Sequence, residues 1–348
     1  HLSLRRQRQM CIRDSLSMKT TPKKVKYSVL DLAPIAEGYT AADAFNNSVS
    51  LAQHAESLGY NRFWLAEHHN MDGIASSATS ILIGHIAGKT KSIRVGSGGV
   101  MLPNHASLII AEQFGTLETL YPGRIDLGLG RAPGSDQATM RAIRRDLMSD
   151  RFPEQVQELF QYFSDNQEGA RVIANPGRGL KIPVWLLGSS LYSAELAGRL
   201  GLPYSFASHF APDLMMEALH VYREFFTPSI YLKEPYCMIG VQVVGASTDE
   251  EAEFLSTTVY QRFLALIRGQ SLKMKPPVKS MDGLWNTHEE QYVKAKLHTS
   301  VRGGPEKVRA QLLHLAEFTG VDELMIVSDL YKHEDRLRSF TMAAEALR

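Results

Sequence analysis

The chain has 348 residues with 38 Lys and Arg against 37 Asp and Glu, a formal net charge of +1, and 44% hydrophobic and 22% charged residues. That balance offers no electrostatic footprint for nucleic acid, its apolar content suits a large core and not disorder, and no uninterrupted apolar run reaches the roughly 18 residues of a membrane-spanning helix. Only Cys11 and Cys237 occur, which excludes a disulfide framework and a cysteine metal cluster and points to a reducing, cytoplasmic setting.

The first 17 residues, HLSLRRQRQMCIRDSLS, have no apolar periodicity and precede Met18 and the basic KTTPKK. Residues 1–17 are expected to be a non-native extension, with residues 18–348 forming one domain. Without the four arginines and one aspartate of this run the formal charge passes from +1 to −2. As a signal peptide the run fails, because it lacks an apolar central region.

From Tyr27 onward, short apolar runs of strand length alternate with longer segments of helical period. A strand over 27–32 leads to a helix over 43–58, where Phe45, Val49, Ala52, Ala55 and Leu58 recur at intervals of three and four and Gly59 supplies the stop. Strands over 62–66, 93–100 and 125–129 lead to helices over 75–88, 107–120 and 137–163. The remaining strands, over 183–187, 204–207, 238–244 and 323–327, lead to helices over 190–200, 213–226, 249–267 and 333–347. A further helix over 305–318 opens on Pro305, which suits a first helical turn. Residues 164–182 and 268–304 break the rhythm as insertions after the fourth and seventh strands, where α/β barrels carry lids and specificity. Eight such cycles indicate an α/β protein with a parallel sheet buried on both faces. A (β/α)8 barrel and a doubly wound open sheet both give that string.

Four segments carry possible chemistry. In Phe63-Trp64-Leu65-Ala66-Glu67-His68-His69 a buried strand runs into three ionisable residues, where a histidine can exchange protons near neutral pH and a carboxylate can set its tautomer. Strand-end capping is the alternative. A metal site is weaker, since consecutive strand residues point to opposite faces. In Val95-Gly96-Ser97-Gly98-Gly99-Val100 the glycines mark either tight packing or a place where a flat group approaches the backbone. Gly128-Leu129-Gly130-Arg131-Ala132-Pro133-Gly134 matches no phosphate-loop spacing, but Arg131 at a strand end can hold a phosphate or form a structural salt bridge. In Leu187-Gly188-Ser189-Ser190-Leu191-Tyr192-Ser193 a strand turns into a helix whose first amides and serine hydroxyls attract phosphate, or serve as an ordinary N-cap. The serine-hydrolase elbow is absent there.

With these residues in hand, the chain resembles the bacterial-luciferase-like flavin monooxygenases, in particular their alkanal-monooxygenase-like group. The stretches that carry the resemblance are FWLAEHHNMDGIASSATS, IRVGSGGVMLPNHASLIIAEQFGTLETLYPGRIDLGLGRAPGSDQ and PVWLLGSSLYSAELAGRLGLPYSFASHF, and it extends over nearly the whole chain from Tyr27. It implies a TIM barrel that binds FMN at the carboxyl ends of its strands. His68 matches the position implicated in flavin chemistry, with Glu67 positioning it. Gly98 and Gly99 match a pair whose non-proline cis peptide shapes the flavin shelf, and Arg131 matches an arginine near the FMN phosphate. Ser190 and Ser193 match hydroxyls at the helix N-terminus, with Gly188 and Ser189 giving backbone contacts. Two positions and one segment depart from luciferase: Gly130 replaces a reactive cysteine, Ser189 replaces a glutamate, and residues 268–304 do not carry its long lid. Long-chain aldehyde and light emission are therefore not implied. The expected partners are a small organic substrate, aldehyde- or alkanal-like or other, and O2, with FMN arriving as FMNH2 from a separate reductase, no metal, and a homodimeric assembly. A reductase using a deazaflavin on the same barrel and a non-catalytic flavin-binding subunit are the alternatives.

Overall fold

Short runs that are apolar along nearly their whole length can be buried only between two layers, and the strands of this chain are used in that way. In the computed structural model, which describes residues 24–132, 136–143, 151–166 and 169–348, they are β1 (Lys26–Asp31), β2 (Arg62–Leu65), β3 (Arg94–Ser97), β4 (Ile125–Gly130), β5 (Val184–Gly188), β6 (Tyr204–Phe206), β7 (Cys237–Gly245) and β8 (Glu323–Val327). Each pairs in parallel with the next, and β8 pairs with both β7 and β1, so the sheet closes on itself. The register sets Val29 beside Phe63, Val29 beside Ile326, and Val327 beside Gln242. The fold is a (β/α)8 TIM barrel, and closure removes the doubly wound alternative.

Seven of the eight expected strands begin and end within one residue of those observed. The third is interrupted at Gly98-Gly99, after which Val100–Met101 pairs with β4 separately. The helix expected over 137–163 is found as Gln137–Ala142 and Phe152–Phe163, with residues 144–150 outside the described part. Residues 1–17 and Pro133-Gly134 also lie outside it. The insertion over 268–304 contains a helix, Thr287–Lys296, that apolar periodicity did not reveal. Its start is fixed by a capping box in which Asn286 accepts from the Glu289 amide and Glu289 accepts from the Asn286 amide.

Alternation along each strand divides the core in two. Val29, Phe63, Leu65, Leu127, Tyr204 and Phe206 point outward and pack under the helices against Leu51, Ile83, Phe114 and Phe340. Leu30, Trp64, Ala66, Trp185, Met238, Met325 and Val327 fill the barrel lumen. Below them, at the amino ends of the strands, the lumen is closed by ions. Arg62 donates to Asp126 at 2.7 Å and to Glu323 at 2.9 Å, Arg94 donates to Asp126 at 2.6 Å, and Tyr236 donates to Glu323 at 2.8 Å. Arg62 also lies 4.7 Å above the Trp185 ring.

Asp126 and Glu323 are completely buried, and although Arg94 stays beside Asp126, removing their shared cation leaves Glu323 without its ion-pair partner. Arg62→Met is expected to cost about 3–5 kcal/mol, read as a lowered midpoint in urea unfolding. A midpoint equal to that of the native protein would mean that the carboxylates take up protons or water at little cost.

Candidate active site

The alternation of β2 continues past its last residue and decides the geometry of the rim. Trp64 and Ala66 face the lumen while Phe63 and Leu65 face outward, so Glu67 and His68 leave the strand on opposite sides. The Glu67 carboxylate, 1% exposed, accepts from His69 Nε2 at 2.8 Å, His105 Nε2 at 2.9 Å and the Met101 amide at 3.0 Å. Burial pushes its pKa up, but the hydrogen bonds from His105, His69 and Met101 prevail and hold it below the usual carboxylate range. The expectation that Glu67 positions His68 is therefore corrected: its hydrogen bonds go to His69 and His105, and only its charge reaches His68.

His68 is tied to the fold by its backbone, whose amide donates to Ser76 O at 3.1 Å. Its Nδ1 is buried and has no hydrogen-bond partner among the described residues. Burial first, and the nearby Arg262 cation second, lower its pKa to about 4. At neutral pH it is an uncharged imidazole.

On the neighbouring strand, the peptide between Gly98 and Gly99 is cis. A Cβ at Gly98 would stand 2.6 Å from Leu30 Cδ1, and one at Gly99 would stand 2.7 Å from Gly128 O. Only glycine fits at either position, since the Leu30 and Trp64 side chains crowd Gly98 and the Gly128 backbone crowds Gly99 at the ends of β3 and β4. At the end of β4, Arg131 stacks 4.4 Å above the ring of Tyr192. Tyr192 belongs to the helix Leu191–Arg199, which Ser190 caps by accepting from the Ser193 amide. Ser193 donates its hydroxyl to Ser190 O at 2.8 Å and lies 3.2 Å from the Tyr204 hydroxyl. A Cβ at Gly188 would stand 2.3 Å from Ser193 Oγ, so that glycine lets the helix start close to β5. Ser189, half-buried, connects the two. The structure thus brings Arg131, Gly188, Ser189, Ser190 and Ser193 together at the ends of β4 and β5.

The sequence did not single out the polar group on the other side of the lumen. His209 follows β6 and packs on Gly240 of β7, where a Cβ would come within 2.2 Å of its Nδ1. Burial lowers its pKa to about 4. Gln242, two residues beyond Gly240 on the same face, is 3% exposed. Arg262 donates to Asp329 at 2.7 Å. His209 Nδ1 and Gln242 Nε2 join His68 Nδ1 as buried atoms without a partner among the described residues. An unmet buried donor or acceptor costs about 1–3 kcal/mol, so three around one lumen mark a place for a ligand's polar atoms. The available signal was Gln242 itself, a polar residue at an inward position of an otherwise apolar strand.

Residues 25–323 match the family model described as luciferase-like monooxygenase. The chain is 56% identical over 326 residues to the protein YvbT of Bacillus subtilis (strain 168), covering 93% of this chain and 97% of that one. It is 52% identical over 327 residues to the luciferase-like monooxygenase of Escherichia coli (strain K12), covering 93% and 98%. The crystal structure of apo-MsnO8 superposes with a TM-score of 0.82 at 36% identity, over 92% of this chain and 98% of that one.

The two lumenal histidines have a consequence for stability. Their folded-state pKa of about 4 lies below the ordinary 6.5, so between those values the unfolded chain binds more protons than the folded one and stability falls with falling pH. Above about 6.5 both states are neutral at these positions and the contribution is constant. Melting temperatures are expected to hold from pH 8 to pH 7 and to drop on acidification below 6.5, less steeply in His68→Gln. Equal slopes in the two proteins would show that His68 titrates normally.

Proposed function

The chain belongs to the luciferase-like monooxygenase family, and from that premise we propose that it binds reduced FMN and O2 at the carboxyl ends of its strands and puts one oxygen atom onto a small organic substrate. The observation that carries this reading is the meeting of Arg131 with the N-terminus of Leu191–Arg199 beside the Gly98-Gly99 surface, with His68 on the neighbouring strand. A phosphate fits the first-turn amides and the positive end of that helix, and the Arg131 guanidinium supplies charge-assisted donors. The Ser193 hydroxyl would turn from Ser190 O to reach it, while Gly188 and Ser189 offer backbone. A planar ring would lie against Gly98 and Gly99, which have no side chains of their own to hold it off. Bound FMN would supply the electrons and the oxygen chemistry.

The residues around that position have separate tasks. His68, neutral at pH 7, offers a hydrogen bond or accepts a proton with its unpartnered Nδ1. Glu67 is a positioning residue: by holding the Met101 amide and His105 it fixes the chain that follows Gly98-Gly99. Leu30 and Trp64 underlie Gly98 and would keep water from its lumenal side.

A separate reductase would deliver FMNH2. A homodimer is supported by Ile81, Ile109 and Leu120, exposed on the adjoining helices Thr79–Ala87 and Ser107–Leu120. A reducing, cytoplasmic setting suits the buried free thiol of Cys237.

Arg131→Ala is expected to weaken FMN binding about 10- to 100-fold, the equivalent of one charge-assisted contact, and to leave riboflavin binding unchanged in fluorescence titrations. Equal weakening of both would remove the phosphate role, and a preference for a deazaflavin would favour a reductase. When the protein loaded with reduced FMN is mixed with oxygen, the oxidised flavin spectrum should return faster in His68→Ala than in the native protein. Superimposable traces would take His68 out of the mechanism.

A further inference from the structure

We propose that His209 and Gln242 are specificity residues that receive a neutral carbonyl or amide oxygen of the organic substrate at the floor of the site. The proposal rests on reading the rim as a flavin monooxygenase site and adds to it the chemical class of the substrate's polar end.

Position comes first. Met238 faces the lumen, and Gly240 and Gln242 follow it on the same face of β7. The register sets Gln242 beside Val327, another lumenal residue. His209 covers Gly240, and Asp329 stands two residues past Val327, as His68 stands two past Ala66. These groups therefore form one polar layer above the apolar filling of Trp64, Trp185, Met238 and Met325. They come from β2, β6, β7 and β8, while Arg131 and Ser190 stand on β4 and β5.

Charge and hydrogen-bonding capacity then choose the ligand. Arg262 is matched by Asp329 at 2.7 Å, and burial keeps both histidines neutral at physiological pH. The layer carries no net charge, so a carboxylate or an ammonium would arrive without a counter-charge and lose its hydration. A carbonyl oxygen brings no charge. The Gln242 amide nitrogen can only donate, so the group that meets it must accept. His209 Nδ1 donates in one neutral tautomer and accepts in the other, which lets it serve a ketone or the oxygen or N–H of an amide.

The full-length protein, with and without FMN, can be titrated with four probes of matched size, butanamide, butanone, butanoate and butylamine, using ligand-observed NMR. The amide and the ketone are expected to bind at least ~10-fold more tightly than the acid and the amine, a difference of about 1.4 kcal/mol. Gln242→Met, which keeps the volume, and His209→Phe, which keeps a ring against Gly240, should each weaken the amide about tenfold while FMN affinity is retained. Gln242→Met should also melt no lower than the native protein, because it removes an unmet buried donor. A preference for butanoate or butylamine, unchanged amide binding in both variants, or a lowered melting temperature for Gln242→Met would overturn the proposal. Failure of the native protein to bind FMN would instead sink the monooxygenase reading, and the titration of the FMN-free chain would still decide the role of Gln242.

Discussion

A closed sheet of parallel strands has only two places to send a side chain, the lumen or the outer layer beneath the helices, and strict alternation decides between them. In this barrel the lumenal choices rise in tiers. Ser28, Arg62, Asp126 and Glu323 close the amino end with ion pairs and hydrogen bonds. Leu30, Trp64, Trp185, Met238 and Met325 fill the middle, and His68, Gln242 and the Arg262–Asp329 pair stand at the carboxyl end. The apolar middle tier separates two polar ones. It is the physical reason that burial dominates the pKa values of His68 and His209 and holds both near 4.

The two tryptophans crowd the middle tier of the lumen, which explains where the glycines fall at that level. A Cβ at Gly98 would strike Leu30 and press on Trp64, and one at Gly128 would come within 2.2 Å of Ser97 O. The space that β3 and β4 give up is taken by side chains from β1, β2 and β5. Across the barrel the same exchange recurs, with Gly240 giving way to His209. Large and small residues thus complement one another between strands.

Much of this was legible in the sequence because strand and helix patterns are local. The runs over 125–129 and 323–327 have no amphipathic alternative, and Ser107–Leu120 and His333–Leu347 were recovered with their ends intact. Closure was not legible, since no local pattern states that β8 pairs with β1; only the resemblance pointed there. The helix Thr287–Lys296 escaped because it buries Val293 alone and so has almost no apolar face. At the site, the strand-end motifs were readable, but the partners of Glu67 were not. His105 lies 38 residues away, and an adjacent pair such as Glu67-His68 invites a contact that alternation forbids. Arg262 was hidden in the helix Asp249–Ile267, whose remaining pattern reads as ordinary packing.

The separation of Glu67 from His68 also divides the labour at the rim. A carboxylate that accepts from two imidazoles and a backbone amide, and whose pKa lies below its ordinary value, is ionised and committed. Drawing it into proton transfer would loosen His69, His105 or the chain after Gly98-Gly99, so its charge is better suited to holding geometry than to chemistry. His68 has the opposite endowment: an unpartnered ring nitrogen, a neutral state across the physiological range, and a neutralised Arg262–Asp329 pair nearby. Alternation along one strand thus leaves a ring nitrogen of His68 unsatisfied by its own protein while it saturates Glu67.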